Sequence, residues 1–262
     1  GMALWIGKQI KGPEKLFYCS KEVFEQKGAT VHMETKVENI DYDKKIVYAK
    51  NKDGKEIQES YDKLVLATGS QPVLPDIEGM DLENVQKVKI FQDAQSVIDK
   101  INHEEIKKVV VVGAGYIGTE LAEAFKRLGK ESTLIEHGDT VLRGYYDDKF
   151  CKKMEDNLRD HGVNLVFNEE VVKLEGTDGK VSKVITDKGE YDCDMVVMSI
   201  GFKPNSSLAK DHLKLNDHKA IITDKHQQTS DENVFAVGDS TVIFNNATGK
   251  FEYVALATNA VR

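Results

Sequence analysis

Basic residues are the minority sign in this 262-residue chain: 36 lysines and arginines face 44 aspartates and glutamates, leaving a net charge of −8. That balance gives no electrostatic reason to expect a nucleic acid or an anionic membrane as partner. Long apolar runs are missing too; none approaches the length that spans a bilayer, and no basic-then-apolar signal opens the chain. Cysteine is limited to Cys19, Cys151 and Cys193, odd in number, widely spaced and without a CxxC pair. Neither a disulfide framework nor a zinc site follows from that pattern, and a reducing cytoplasm is the default location. The histidines form no HExxH and no ligand spacing with cysteine or carboxylates, so no metal is expected. Low-complexity tracts and fixed-period repeats are absent. What remains is an ordinary globular composition, long enough for one large or two modest domains.

The most informative stretch that is present runs from Lys108 to Gly118. Four valines end in three glycines at GxGxxG spacing, Gly113, Gly115 and Gly118, and lead into a helix-like stretch from Thr119 to Leu128. A strand therefore hands over to a helix at a tight turn, the pattern of a dinucleotide site. Gly113 permits the turn, Gly115 lets backbone approach a pyrophosphate, and Gly118 lets helix and strand pack closely. The helix start adds unpaired N–H groups and partial positive charge. A second apolar run, Ser132 to Ile135, ends in Glu136, 18 residues beyond Gly118, where a carboxylate accepts hydrogen bonds from both hydroxyls of an adenine ribose. This favours NAD over NADP, because the carboxylate repels a 2′-phosphate and no arginine follows at once. His137 and Lys130 keep the alternative open.

Three parts are expected: 1–83, 84–202 and 203–262. The first holds a helix-like stretch from Ser20 to Lys27 and strand candidates Thr30 to Val37, Lys45 to Ala49 and Lys63 to Ala67, punctuated by turns at Asn51 to Gly54 and Gly69 to Pro72. The middle part reads as βαβ: strand 108–112, helix 116–129, strand 132–136, helix 147–161 and strand 163–167. A hairpin follows (Val171 to Leu174 and Val181 to Thr186), then a strand from Met195 to Ile200 that ends at Gly201. Such alternation implies α/β architecture with a parallel sheet. The last part holds Asn233 to Asp239 and an apolar helix-like run from Tyr253. Neither end reads as a natural terminus, since Gly1 to Gly7 is apolar without a leader and Val254 to Arg262 stops inside a helical period. A tag remnant at Gly1 before a native Met2 is the alternative.

Four signals in order resemble the pyridine nucleotide-disulfide oxidoreductase superfamily of flavoproteins. They are Leu66-Ala67-Thr68-Gly69, the Gly113 to Gly118 loop with Glu136, Ile200-Gly201-Phe202-Lys203-Pro204-Asn205, and Thr229 to Gly238-Asp239. The opening Gly1 to Gly7, Leu16 to Tyr18, Tyr61 to Leu64 and the closing Ala255 to Arg262 resemble the bacterial water-forming NADH oxidase branch, with NADH peroxidase as a near relative. The resemblance implies two Rossmann-like dinucleotide-binding domains, one for FAD and one for NAD(H). Residues 1–83 and 203–262 would belong to a discontinuous FAD domain and 84–202 to the NAD(H) domain. It also implies an internal fragment, lacking an upstream FAD loop, a redox cysteine just before Gly1 and a C-terminal dimerisation domain. The three cysteines present do not align with that cysteine, so no catalytic residue is assigned within the chain.

By resemblance, Asp239 meets the FAD ribitol beside Gly238, Thr68 and Gly69 mark the crossover near the flavin, and Leu256 and Ala257 present backbone N–H groups to its pyrimidine edge. Tyr116 corresponds to an aromatic gate over the flavin, Ile117 lies in the same loop, Glu120 lies near the nicotinamide carboxamide, and Tyr145 (or Tyr146) flanks the adenosine. For the full-length enzyme the resemblance implies that hydride passes from NADH to flavin and on to oxygen, with a cysteine sulfenic acid serving the second two-electron stage. NADH and oxygen, or peroxide, are the expected substrates, and a homodimer the expected assembly. A peroxidase or coenzyme A-disulfide reductase on the same scaffold is the alternative enzyme reading. A non-catalytic nucleotide-binding or redox-sensing module is the third.

Overall fold

A computed structural model describes residues 1–253. The chain divides into two compact units, the first made of residues 1–18 and 72–201, the second of residues 19–71 and the segment from 202 onward.

In the first unit, five strands form a parallel sheet: β1 (Val85–Lys87), β2 (Lys108–Val112), β3 (Glu131–Glu136), β4 (Asn164–Phe167) and β5 (Met195–Met198), in the order β1-β5-β2-β3-β4. Helices α1 (Met2–Ile6), α2 (Phe91–Ile101), α3 (Tyr116–Arg127) and α4 (Asp148–Asp160) accompany it. β2 reads as an unbroken valine run because it is central and covered on both faces, with Val109 to Val112 all buried. Its side chains alternate between two cores. Val109 and Val111 join Leu121, Phe125 and Leu134, while Val110 and Val112 join Leu174, Val181 and Val184 of the antiparallel strands Val171–Thr177 and Lys180–Thr186. A third strand, Glu190–Asp192, completes that antiparallel sheet. The chain is a Rossmann-like α/β fold.

The middle elements lie within a residue or two of the positions read from sequence, except that the first hairpin strand, expected over Val171 to Leu174, runs on to Thr177. The boundary at residue 83 does not match the compact units, for two packing reasons. The opening segment forms α1, whose buried Ala3, Trp5 and Ile6 pack with the first unit; Trp5 stacks on Phe91 at 5.1 Å between ring centres, and a Cβ on Gly7 would lie 3.1 Å from that of Ala124. Ile77, Met80 and Leu82 pack on the second core, and Leu174 N donates to Glu78 O at 2.9 Å. Residues 72–83 therefore belong with this unit too.

The second unit holds an antiparallel sheet of Thr35–Asp41, Ile46–Asn51 and Glu56–Ser60 and a parallel pair, Leu64–Leu66 with Val234–Ala236. Ile40, Leu66, Leu213, Ile221, Val234 and Ala236 form its core. The strand expected over Thr30 to Val37 begins only at Thr35. Glu34 takes φ +49, which breaks extended backbone, and the register with the next strand runs from Thr35 opposite Asn51 to Asp41 opposite Ile46. The short helix expected near Ser20 to Lys27 forms over Lys21–Gln26. The helix expected beyond Tyr253 lies outside the described residues.

Candidate nucleotide-binding site

The glycine loop lies at the carboxyl edge of the parallel sheet, where open α/β sheets take their ligands. Gly113 has φ +98, its N–H donates to Ile135 O at 2.8 Å, and a Cβ there would lie 2.5 Å from Ser199 O. A Cβ on Gly118 would lie 1.8 Å from Gly113 O, so helix and loop touch through a missing side chain. Gly115 differs from both. Its φ of −74 suits any residue, and a Cβ there would have no described protein atom within 4 Å. The space it leaves is open to a ligand, beside the first-turn N–H groups and positive dipole end of α3. Thr119 fixes this turn by donating its hydroxyl to the carbonyls of Gly115 and Tyr116 at 2.9 and 3.0 Å.

Glu136 ends β3 next to this loop. Its Oε2 accepts from Ala114 N at 2.6 Å and its Oε1 from Gly138 N at 2.9 Å, with His137 Nδ1 2.7 Å from Oε1. The carboxylate is thus aligned by loop backbone, and Oε2, with Ala114 N as its one hydrogen-bond partner among the described residues, keeps a lone pair for a further donor. Leu142 N donates to the carbonyl of the same Ala114 at 2.9 Å, folding the segment after Glu136 back onto the loop.

Three tyrosines gather there. The Tyr116 ring lies 4.2 Å from that of Tyr145, and its hydroxyl is 3.0 Å from the hydroxyl of Tyr146. That hydrogen bond, followed by loss of water, pushes the Tyr116 phenol up to about 12, so it stays neutral. Tyr145 and Tyr146 are about half exposed. Ile117 packs against the core, Glu120 is exposed on α3, and Gly201, with φ +109, is exposed and accepts from Val73 N at 2.9 Å.

In the second unit, Thr68 and Gly69 follow the carboxyl end of Leu64–Leu66, and Gly238 and Asp239 follow that of Val234–Ala236. Parallel pairing brings the four together. Thr68 Oγ1 donates to Asn205 O at 2.6 Å, Ser70 Oγ donates to Asp239 Oδ2 at 2.9 Å, and Gly69 and Gly238 take φ +67 and +75. A Cβ on Gly69 would meet no described protein atom within 4 Å. Leu256 and Ala257 lie outside the described residues.

The sequence gives no individual role to Ala114, Ser70 and Asn205, although Ala114 and Asn205 lie within its motifs, and it names Tyr146 only as a register alternative to Tyr145, because their roles are backbone or tertiary hydrogen bonds. Of the thiols, Cys193 is pushed up to about 12 by burial, Cys151 is buried and Cys19 exposed. Both buried cysteines behave as small apolar residues. Among the described residues, no helix is long and apolar enough to cross a membrane.

Comparison with known proteins agrees with this architecture. The family described as pyridine nucleotide-disulphide oxidoreductase matches residues 4–262, and the chain belongs to that family. An NADH oxidase of Streptococcus pyogenes is 51% identical over 273 residues, covering all of this chain and 59% of the relative. The solved water-forming NADH oxidase of Lactobacillus brevis, bound to NADH, superposes with a TM-score of 0.94 at 39% identity, covering all of this chain and 58% of that one. An engineered NADPH oxidase made from the same Lactobacillus enzyme and bound to NADPH gives a TM-score of 0.95 at 39% identity, with the same coverage. Its substitutions replace a glycine by alanine and, 18 residues later, an aspartate by alanine; arginines are introduced one and seven residues beyond that aspartate. The chain spans about three fifths of the length of these relatives.

Proposed function

We propose that this chain binds NADH and FAD and serves an NADH oxidase that reduces oxygen to water. The observation that carries the reading is Glu136 held on the glycine loop through Ala114, an acceptor for a ribose diol beside an open backbone cradle for pyrophosphate. Gly113, Gly115 and Gly118 shape that cradle, Tyr116 and Tyr145 supply aromatic surface, and Glu120 and Gly201 lie on the elements that leave the sheet edge. Thr68, Gly69, Gly238 and Asp239 are the residues that would hold FAD. FAD, when bound, supplies hydride acceptance from NADH and electron transfer to the acceptor. The protein contributes binding and alignment. NADH rather than NADPH is favoured by the retained acid. Counted from Gly118, the intervals of the NADPH-bound variant fall on Glu136, His137 and Arg143, so the carboxylate lost there is kept here. Oxygen as acceptor and water as product rest on the oxidases similar to this chain.

The test is stoichiometry in a protein encompassing this chain. Two NADH oxidised per oxygen consumed, with little free peroxide, is expected from paired oxygen-electrode and peroxide assays. Peroxide equal to the oxygen consumed would refute water formation.

A further inference from the structure

Arg143 is the only arginine between Arg127 and Arg159, and it lies in the segment that folds back on the glycine loop. Ala114 ties both sides of this arrangement: its N–H meets Glu136 and its carbonyl meets the N–H of Leu142, the residue before Arg143. The anchor is firm. Val141 and Leu142 are buried in the core, and Leu142 takes φ +56, a conformation that a leucine holds only where packing imposes it. The backbone of Arg143 is therefore held in a segment that Ala114 ties to the acid proposed to read the adenine ribose.

An arginine in that neighbourhood is what a 2′-phosphate needs, yet here each of its three nitrogens already donates to a carboxylate. Nε and Nη2 both donate to Asp139, with Nη2 2.6 and 2.7 Å from the two carboxylate oxygens, and Nη1 donates to Asp148. The Arg143 hydrogen bond holds the Asp139 carboxyl below its usual range, so Asp139 stays charged through the neutral region. Two negative charges, Asp139 and Asp148, therefore flank one positive charge. All three side chains of the clamp are more than half exposed, so these pairs add little to stability. Their consequence falls on an incoming anion instead.

We propose that Asp139 and Asp148 are specificity-determining residues: by occupying Arg143 they deny it to the 2′-phosphate and make the site reject NADPH. The inference rests on the nucleotide-binding reading above and adds a second layer to the exclusion supplied by Glu136. Removing both carboxylates frees a guanidinium whose backbone stays tied to the loop that carries Glu136.

Fluorescence titrations of NADH and NADPH into the full chain at low salt test this. For D139N/D148N, the ratio of the NADPH to the NADH dissociation constant should fall at least about tenfold relative to the parent. Adding R143Q to that pair should restore the parental ratio, and R143Q alone should leave it near parental, because the arginine is already engaged. If the double variant does not fold by circular dichroism, D139N alone must lower the ratio at least about threefold. A ratio within about twofold of parental in folded D139N/D148N would overturn the proposal. So would a fall that persists in the triple variant, since that traces to removal of negative charge rather than to the arginine. A parent that binds neither nucleotide overturns the underlying assignment, and this inference with it.

Discussion

Two alanine substitutions two residues apart should separate folding from binding in the glycine loop. Gly113→Ala forces an L-residue into φ +98 and brings its Cβ to 2.5 Å from Ser199 O and 3.1 Å from Ile200 N, all backbone atoms that only the sheet edge itself can move. The left-handed conformation costs about 1–2 kcal/mol and the overlap about 1–3, so a loss of roughly 2–5 kcal/mol in unfolding free energy is expected. Gly115→Ala has neither problem. Its φ of −74 is ordinary and its Cβ enters open space. The gain of about 0.4–1 kcal/mol from a stiffer unfolded chain offsets the similar loss from alanine at a helix N-cap, leaving stability within about 0.5 kcal/mol. The same methyl occupies the space through which pyrophosphate would reach the loop. Displacing one charge-assisted hydrogen bond costs about 1.5–3 kcal/mol, roughly 10- to 150-fold in NADH affinity. Urea unfolding followed by circular dichroism, with NADH fluorescence titration of each folded variant, measures both effects. Parental NADH affinity in Gly115→Ala, or a parental unfolding midpoint in Gly113→Ala, would refute the reasoning.

Two further outcomes test the same site. Glu136→Ala should weaken NADH binding by about 1–3 kcal/mol, because it removes a charged acceptor and leaves Ala114 N without its partner; unchanged affinity in a titration, or a parent that prefers NADPH, would sink the assignment. Tyr146→Phe removes the hydrogen bond that raises the Tyr116 phenol, so an ultraviolet difference titration should show that phenol ionising below about 12. An unmoved titration would show that burial alone sets it.

The loop and its flanking elements were legible in the sequence because their determinants are contiguous. The valines of β2 are buried on both faces, α3 carries an unbroken buried face, and Gly113 and Gly118 answer local geometric demands while Gly115 leaves open space between them, so spacing alone located Gly113, Gly115, Gly118 and Glu136. β1 and α2 were not legible for the complementary reason. β1 is a three-residue edge strand defined by pairing with β5, and α2 buries only Ala94, Val97 and Ile101. α1 was unreadable as a helix in the first unit, since its five residues gain a place only against Phe91 and Ala124.

What the sequence by itself determined is the strand, glycine turn, helix and acid that define a dinucleotide-binding Rossmann unit, together with the family resemblance. Tertiary structure alone decided which groups those residues meet. Ser70 meets Asp239 across 169 positions, Thr68 meets Asn205 across 137, and Tyr116 meets Tyr146 across 30. It also decided that Glu136 is aligned by Ala114 N and that Arg143 is held between two aspartates. Periodicity records which face of an element is apolar; a hydrogen bond between distant residues exists only once packing has fixed both ends, and no local pattern encodes it.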